Sequence, residues 1–399
     1  MIGSGHPYSA SLELVAPQLQ RTPDDPAAQA RASQQPSVLA WPAPSQSQTN
    51  PYTSLVYREF EGEGIRIEPY SIWDLRTPRA DIFHIHWPEA ILWGRIAHRV
   101  PSASGLAAYR ALRTMDAIRR CGGIVVWTVH NVSPHAFPVS SHERIWESFF
   151  PQFRRRVDAL IGLTARSLDL VCNAYPELRA CSRAVVPHPH YRTSYPAPPP
   201  LAEARAALGL PADCFVAAMI GGVRRSKGVP SAIEAFRKSR KEKELLLIAG
   251  HCADGELANE IKGAIGDDAG VIFENRHLPD AELVRCFAAV DVVLINQAST
   301  LNSGTLLLAL SMDRPAIAPA KGSVVELVDA VGPSWISTFS NELGAGDLRR
   351  CLDEIKRRDR GQPAPLGRFD PATVSRATAA ALRDALASRR VATPTFAPK

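Results

Sequence analysis

The chain has 399 residues, 45% of them hydrophobic and 22% charged, with a formal net charge of +6 and a pI near 9.0. That length suits two domains of ordinary size, and no stretch reaches the roughly 18 consecutive apolar residues a membrane span requires. The basic balance admits a nucleotide, an anionic lipid surface or a nucleic acid as partner, but no zinc finger, RNP-like aromatic pattern or lysine-rich arm supports the last. Seven cysteines stand at 121, 172, 181, 214, 252, 286 and 351 without a CxxC pair. Such scattered thiols suit a reducing cytoplasm better than a disulfide framework or a zinc site. The N-terminus has no basic start followed by an apolar core, so no secretory signal is expected.

Residues 1–36 are rich in Pro, Gln, Ala and Ser without a sustained period, and read as a disordered tail. "PSVLAWPAP" then reads as a short strand, and Asn50 to Glu61 as a helix. Val- and Ile-rich runs recur in "ADIFHIHW", "GIVVWTVHN", "DALIGLT" and "RAVVPHPH", separated by helical segments such as "SGLAAYRALRTMDAIRRC". Strands apolar on both faces, alternating with helices, predict an α/β fold with a parallel, doubly wound sheet. The proline cluster from Tyr191 to Leu201 marks an interdomain linker, placed at 193–203. The same grammar restarts after it in "CFVAAMIGG", "KELLLIAG", "GVIFEN", "VDVVLIN" and "RPAIAPA". The expected organisation is a first domain over 37–192, a second over 204–370 and a terminal helix over 371–390. Two such Rossmann-like halves would place a ligand at the carboxyl ends of their strands.

Several segments carry chemistry. In "IGGVRRSKG", Gly221 and Gly222 let a ligand approach the backbone, and Arg224, Arg225 and Lys227 supply positive charge. The segment matches neither a Walker loop nor a spaced GxGxxG fingerprint. In "NSGTLLLALSM", Asn302, Ser303 and Thr305 can cap a helix whose unpaired amides and dipole attract an anion, and Gly304 admits close approach. Each feature alone has a plain structural reading, as a basic turn and as a helix cap. Together, one after each of two strands, they suggest a diphosphate clasp. "HIHWPE" sets His84, His86, Trp87 and Glu89 at one strand end, and "TVHNVSPH" sets His130, Asn131 and His135 at another. His84 and His86 share a strand face, so a metal pair is conceivable, but no further ligands follow at familiar spacing, and the reading is a cleft wall with no metal. The basic-aromatic segments "ERIWESFFPQFRRR" and "GLAAYRALRTMDAIRR" could lie on an anionic membrane. An ordinary helix with its apolar stripe in the core is the preferred reading of both.

"TNPY", "DIFHIHWPE", "TVHNVSPH", "VRRSKG" and "NSGTLLLALSMDRPAIAP", in this order, resemble glycosyltransferase family 94, the β-mannosyltransferases of xanthan assembly, with GT-B architecture. The resemblance runs from about Pro36 to Pro333. It implies transfer of a sugar from a nucleotide sugar, GDP-mannose, to a lipid-linked glycan acceptor at the cytoplasmic membrane face. By similarity, Arg224, Lys227 and the helix start at Ser303 would hold the diphosphate. The Asn50 loop with the walls at His86 and His130 would hold the acceptor, and Arg276 in "ENRHLPDAEL" would lie under the nucleobase. Many retaining GT-B enzymes carry two glutamates with seven residues between them around this helix; Thr300 and Leu308 stand here instead, which favours inversion. The chain has no DxD sequence, so no metal cofactor is expected. Glu89 is the first candidate for general base, with His135 and His130 as competitors. A UDP-linked donor, a sugar-nucleotide epimerase and a non-catalytic nucleotide-sugar-binding protein remain as alternatives.

Overall fold

The computed structural model describes residues 35–47, 50–74, 79–92, 101–134, 140–297, 301–340, 342–359 and 361–392. The first lobe is a wholly parallel sheet of β1 (Ser37–Trp41), β2 (Arg66–Pro69), β3 (Ile82–Ile85), β4 (Ile124–Val129), β5 (Ala159–Gly162) and β6 (Ser182–Val185). Its helices are α1 (Tyr52–Val56), α2 (Pro88–Leu92), α3 (Pro101–Arg120), α4 (Ser140–Arg154) and α5 (Ala165–Ala174). The second lobe opens with α6 (Leu201–Ala207), then β7 (Phe215–Ile220), α7 (Val229–Ser239), β8 (Glu244–Ala249), α8 (Gly255–Ile265) and β9 (Val271–Glu274). It continues with α9 (Asp280–Ala289), β10 (Val292–Leu294), α10 (Gly304–Ser311), β11 (Ala316–Pro319), α11 (Val324–Val331), β12 (Ile336–Phe339), α12 (Ala345–Lys356) and α13 (Pro371–Ala392).

Strand order sets where ligands can sit. The sheets run β2-β1-β3-β4-β5-β6 and β12-β11-β10-β7-β8-β9. The winding direction therefore reverses between β1 and β3 in one lobe and between β7 and β10 in the other. Crevices open beyond the carboxyl ends of strands at such switch points.

Both sheets are covered on two faces, as their unbroken apolar strands require. All six residues of β4 are buried. On one side of the first sheet, Phe83, Val125, Trp127 and Leu160 pack with Trp146, Phe149, Phe150 and Phe153 of α4. The aromatic half of "ERIWESFFPQFRRR" is thus core. The other side is closed from far along the chain: Val374, Ala379, Leu382 and Leu386 of α13 join Val38, Ala40, Ile82 and Ile124. The last helix of the chain therefore stands on the first lobe, where Ser375 Oγ accepts from the Glu59 amide at 2.9 Å and Arg383 pairs with Glu63.

Two details differ from the sequence reading. The helix expected over Asn50 to Glu61 is only α1, followed by turns; the Glu59 amide, spent on Ser375, has no helical carbonyl to answer. The edge strands β2 and β12 lie in segments to which the sequence reading assigned no strand; "RIEP" has no buried residue and therefore no apolar run to announce it.

Candidate functional site

The switch point of the second lobe holds a pocket of about 370 Å³ that is open to solvent. Ile220 and Gly221 at the end of β7, Asn296 and Gln297 beyond β10, and Lys227, Ser303 and Thr305 line it. The chain leaves β7 through a tight 3₁₀ turn, Arg225–Lys227, which ends at Gly228 with φ of 57°. A side chain there would be strained, and its Cβ would stand 2.8 Å from Asn296 Nδ2. That amide donates to Gly228 O at 2.8 Å, tying the basic turn to the loop after β10.

The three cations of "RRSK" have different fates. Arg225 turns outward to Asp254, Glu256 and Glu260. Lys227 faces the pocket, and neither it nor the exposed Arg224 pairs with a carboxylate among the described residues. Burial, and then the nearby Arg224 charge, pull the Lys227 ammonium down to about 8. A cation desolvated without a counterion is stabilised by an incoming anion.

Across the pocket, Ser303 is the N-cap of α10, its hydroxyl accepting from the Leu306 amide at 3.2 Å. The amides at the start of an α-helix lack intrahelical partners, which leaves the Gly304 turn able to bind an anion together with Lys227. Gly222, two residues past β7, is exposed and is not among the residues that line the pocket. Asn302 does something else: its Nδ2 donates to Val129 O at 3.3 Å and His130 O at 3.2 Å, both at the end of β4. The residue expected to help cap α10 instead fastens its entry to the opposite lobe. A second fastening lies nearby, where the Glu326 carboxylate accepts from the Ala165 and Arg166 amides at the start of α5.

The first lobe presents a connected wall of imidazoles and phenols. His84 Nε2 hydrogen-bonds with Thr128 Oγ1 at 2.7 Å, and Tyr57 Oη bridges His84 Nδ1 and His86 Nε2 at 2.9 Å each. His86 Nδ1 reaches His130 Nε2 at 3.3 Å. Both ring nitrogens of His84 and of His86 are thus occupied by protein groups, and the paired histidines are a hydrogen-bonded strut. Trp87 stacks on His130 at 4.2 Å, while Tyr52 meets His130 and His188 at 4.7 Å each. Burial holds His84 near 3 and His188 near 4, and pushes His86 and His130 well below their ordinary range. The whole wall is neutral near pH 7.

From this wall a contact chain leads into the second lobe. A carbonyl can only accept, so His188 Nδ1–H donates to Pro189 O at 2.8 Å, leaving Nε2 to accept from the Tyr191 hydroxyl at 3.2 Å. That hydroxyl lies 3.8 Å from where a Cβ on Gly304 would stand.

Glu89 sits in the first turn of α2, three residues beyond His86. Burial raises its carboxyl to about 7. The Oδ1 of Asn50 accepts from the Tyr52 amide at 3.0 Å and so starts α1; Asn131 is half-buried just past β4. His135 and Thr300 lie outside the described residues. Arg276 stands apart from the Lys227 pocket: it pairs with Glu274 and Glu282 and lines a separate hollow with Ile272 and Cys286. Sequence reading missed Tyr52, Tyr57, His188 and Tyr191 as members of the wall. Its one signal for His188 was the "PHPH" that follows β6.

No family model matches the chain. It is 28% identical over 342 residues to GDP-mannose:glycolipid 4-beta-D-mannosyltransferase of Xanthomonas campestris pv. campestris, covering 85% of this chain and 89% of that one. Sucrose-phosphate synthase from Thermosynechococcus elongatus superposes with a TM-score of 0.58 at 16% identity, over 90% of this chain and all of that one. Anabaena HepE in complex with UDP gives 0.58 at 15% identity, over 88% of this chain and 100% of its own. These two likenesses concern the fold, which is GT-B: two Rossmann-like lobes facing a cleft.

Proposed function

We propose that this chain, a glycosyltransferase of GT-B architecture, moves mannose from GDP-mannose onto a glycolipid acceptor with inversion at the anomeric carbon. The observation that carries the reading is the switch-point pocket of the second lobe, where Lys227, partly desolvated and without a carboxylate partner among the described residues, faces the start of α10. The guanine and mannose are taken from the donor named for the Xanthomonas relative.

In this reading Lys227, Arg224 and the Gly304 and Thr305 amides hold the diphosphate, and no divalent ion is required of the protein. They also stabilise the charge that grows as the sugar–phosphate bond breaks. The acceptor hydroxyl attacks the anomeric carbon from the opposite face, a new C–O bond forms, and the hydroxyl proton passes to Glu89. A carboxyl raised to about 7 is matched to that task, since it is largely ionised just above neutral pH and still basic enough to take a proton. The wall imidazoles of His86 and His130, buried and held neutral with depressed basicity, serve better as rigid support behind the acceptor surface than as bases. Trp87, half-buried at the edge of the wall, supplies a flat apolar face of the kind that packs on a sugar ring, and the buried Tyr52 braces it.

Among the described residues, no helix is long and apolar enough to cross a membrane. The reading places the enzyme peripherally at the cytoplasmic membrane face, where a lipid-linked acceptor is met. Incubation with GDP-mannose, other nucleotide sugars and extracted membrane lipids, with and without EDTA, tests it. Mannosylated lipid formed from GDP-mannose alone, and undiminished by EDTA, is expected. No transfer from any donor would remove the reading.

A further inference from the structure

Three of the exposed apolar side chains of the first lobe gather in one place. Tyr109 is 60% exposed, Trp73 56% and Leu106 47%. Leu106 and Tyr109 are one helical turn apart on α3, and Arg110 on the same helix donates to Asp74 O, which brings Trp73 alongside. Among the described residues, the other exposed large apolar residues stand singly elsewhere, Val185 at the end of β6, Leu170 on α5 and Leu201 on α6. Single exposed apolar residues are ordinary, but a cluster of three on one rim is not.

The charge around this cluster is mainly positive, with Asp74 beside Trp73 and Asp116 on α3 as the acids near it. Arg110, Arg113 and Arg120 follow along α3, and none pairs with a carboxylate among the described residues. Asp116, the acid in their midst, is engaged by Arg156 at 2.8 Å. Leu106, Tyr109 and Arg113 lie at the i, i+3, i+7 spacing of one face, spanning about 10 Å of helix. Apolar side chains that include aromatics, flanked by uncompensated arginines on a helix lying along the surface, form the pattern that seats on an anionic bilayer.

We propose that this outer face of α3, with Trp73 beside it, docks the protein on an anionic lipid bilayer. The position deepens the functional reading, on which this part rests. The start of α3 is bound to α2, Ser104 Oγ donating to Leu92 O at 2.9 Å, and α2 carries Glu89. A bilayer held against Leu106 and Tyr109 would present the head of a lipid-linked acceptor on the side of the lobe where the proposed base sits.

The test is sedimentation of the full chain with vesicles of equal parts phosphatidylglycerol and phosphatidylcholine, against vesicles of phosphatidylcholine alone. Neither contains an acceptor, so the outcome does not depend on catalysis. The wild type should bind the mixed vesicles, lose them as salt is raised, and bind the zwitterionic ones weakly. Arg113→Gln should lower partitioning about fivefold, as expected for one basic residue at an anionic surface. Adding Tyr109→Ser, or Trp73→Ser separately, should lower it further, whereas Leu170→Ser on α5 should change nothing. Unchanged melting curves will show that the variants fold. A wild type that stays in solution, equal binding to both vesicles, or variants that bind like wild type would each overturn the proposal. Vesicle binding without mannose transfer would leave this surface standing and remove the functional reading alone.

Discussion

Replacing Lys227 tests the diphosphate site through a proton as well as through affinity. The ammonium lies near 8 because it is half-buried and partly desolvated beside Arg224 without a carboxylate partner among the described residues, against an ordinary 10.5. That gap corresponds to about 3 kcal/mol as an upper bound. The sign is a cost to the ligand-free fold, present in full below about pH 8 and fading as pH rises toward 10.5. A diphosphate restores the charged form. Nucleotide binding should then take up about 0.1 proton at pH 7, about 0.5 at pH 8 and about 0.9 at pH 9. Isothermal titration with GDP in buffers of different ionisation enthalpy measures this uptake. Lys227→Met should abolish it, weaken binding about 10- to 100-fold as expected for a lost charged hydrogen bond, and raise the melting temperature of the free protein. Lys227→Arg should also abolish the uptake while keeping more of the affinity. Uptake that persists in either variant, or none in the wild type at pH 9, would refute the reasoning.

Glu89 titrating near 7 predicts that kcat/KM rises through neutral pH to a plateau, and that Glu89→Gln loses at least 100-fold in turnover with donor affinity intact; a stopped assay across pH 5.5–9 decides it, and an active Gln variant excludes Glu89. The neutral histidines predict acid sensitivity: His84 and His188 each cost stability as pH falls below 6.5, about 2 kcal/mol apiece at pH 5. Urea midpoints should drop over that range, and His188→Asn should flatten the drop. Asn302→Ala removes both hydrogen bonds to the end of β4. Transfer should then fall about tenfold while GDP binding to the second lobe stays within about twofold; equal losses in both would mean that Asn302 touches the donor instead.

The central strands of both sheets were legible because burial on two faces leaves unbroken apolar runs, as in "GIVVWTVHN" and "CFVAAMIGG". The edges were legible only in part: "RAVVPHPH" and "GVIFEN" show β6 and β9, whereas "RIEP" of β2 has no buried residue and no apolar run to mark it. Lys227 and Ser303 could be singled out because the signal is local: a glycine-flanked turn after a strand, and a cap before an apolar helix. Asn302 could not be separated from Ser303 by spacing, since both residue types cap helices, and only the opposite lobe decides which one does. The Tyr52–His188–Tyr191 chain was hidden for the same reason. Its members come from a helix of the first lobe and from the segment after β6, and their meeting is a product of topology. The stand of α13 on the first lobe likewise follows from a stripe that fits that sheet and has no sequence marker.

The most direct measurement of the central claim is a crystal structure of the protein with GDP-mannose or GDP. The account predicts diphosphate oxygens within hydrogen-bond distance of Lys227 Nζ and of the Gly304 or Thr305 amide, with the sugar turned toward His86, Trp87 and Glu89. A nucleotide lodged away from the β7–β10 crevice, with Lys227 left unpaired, would contradict it.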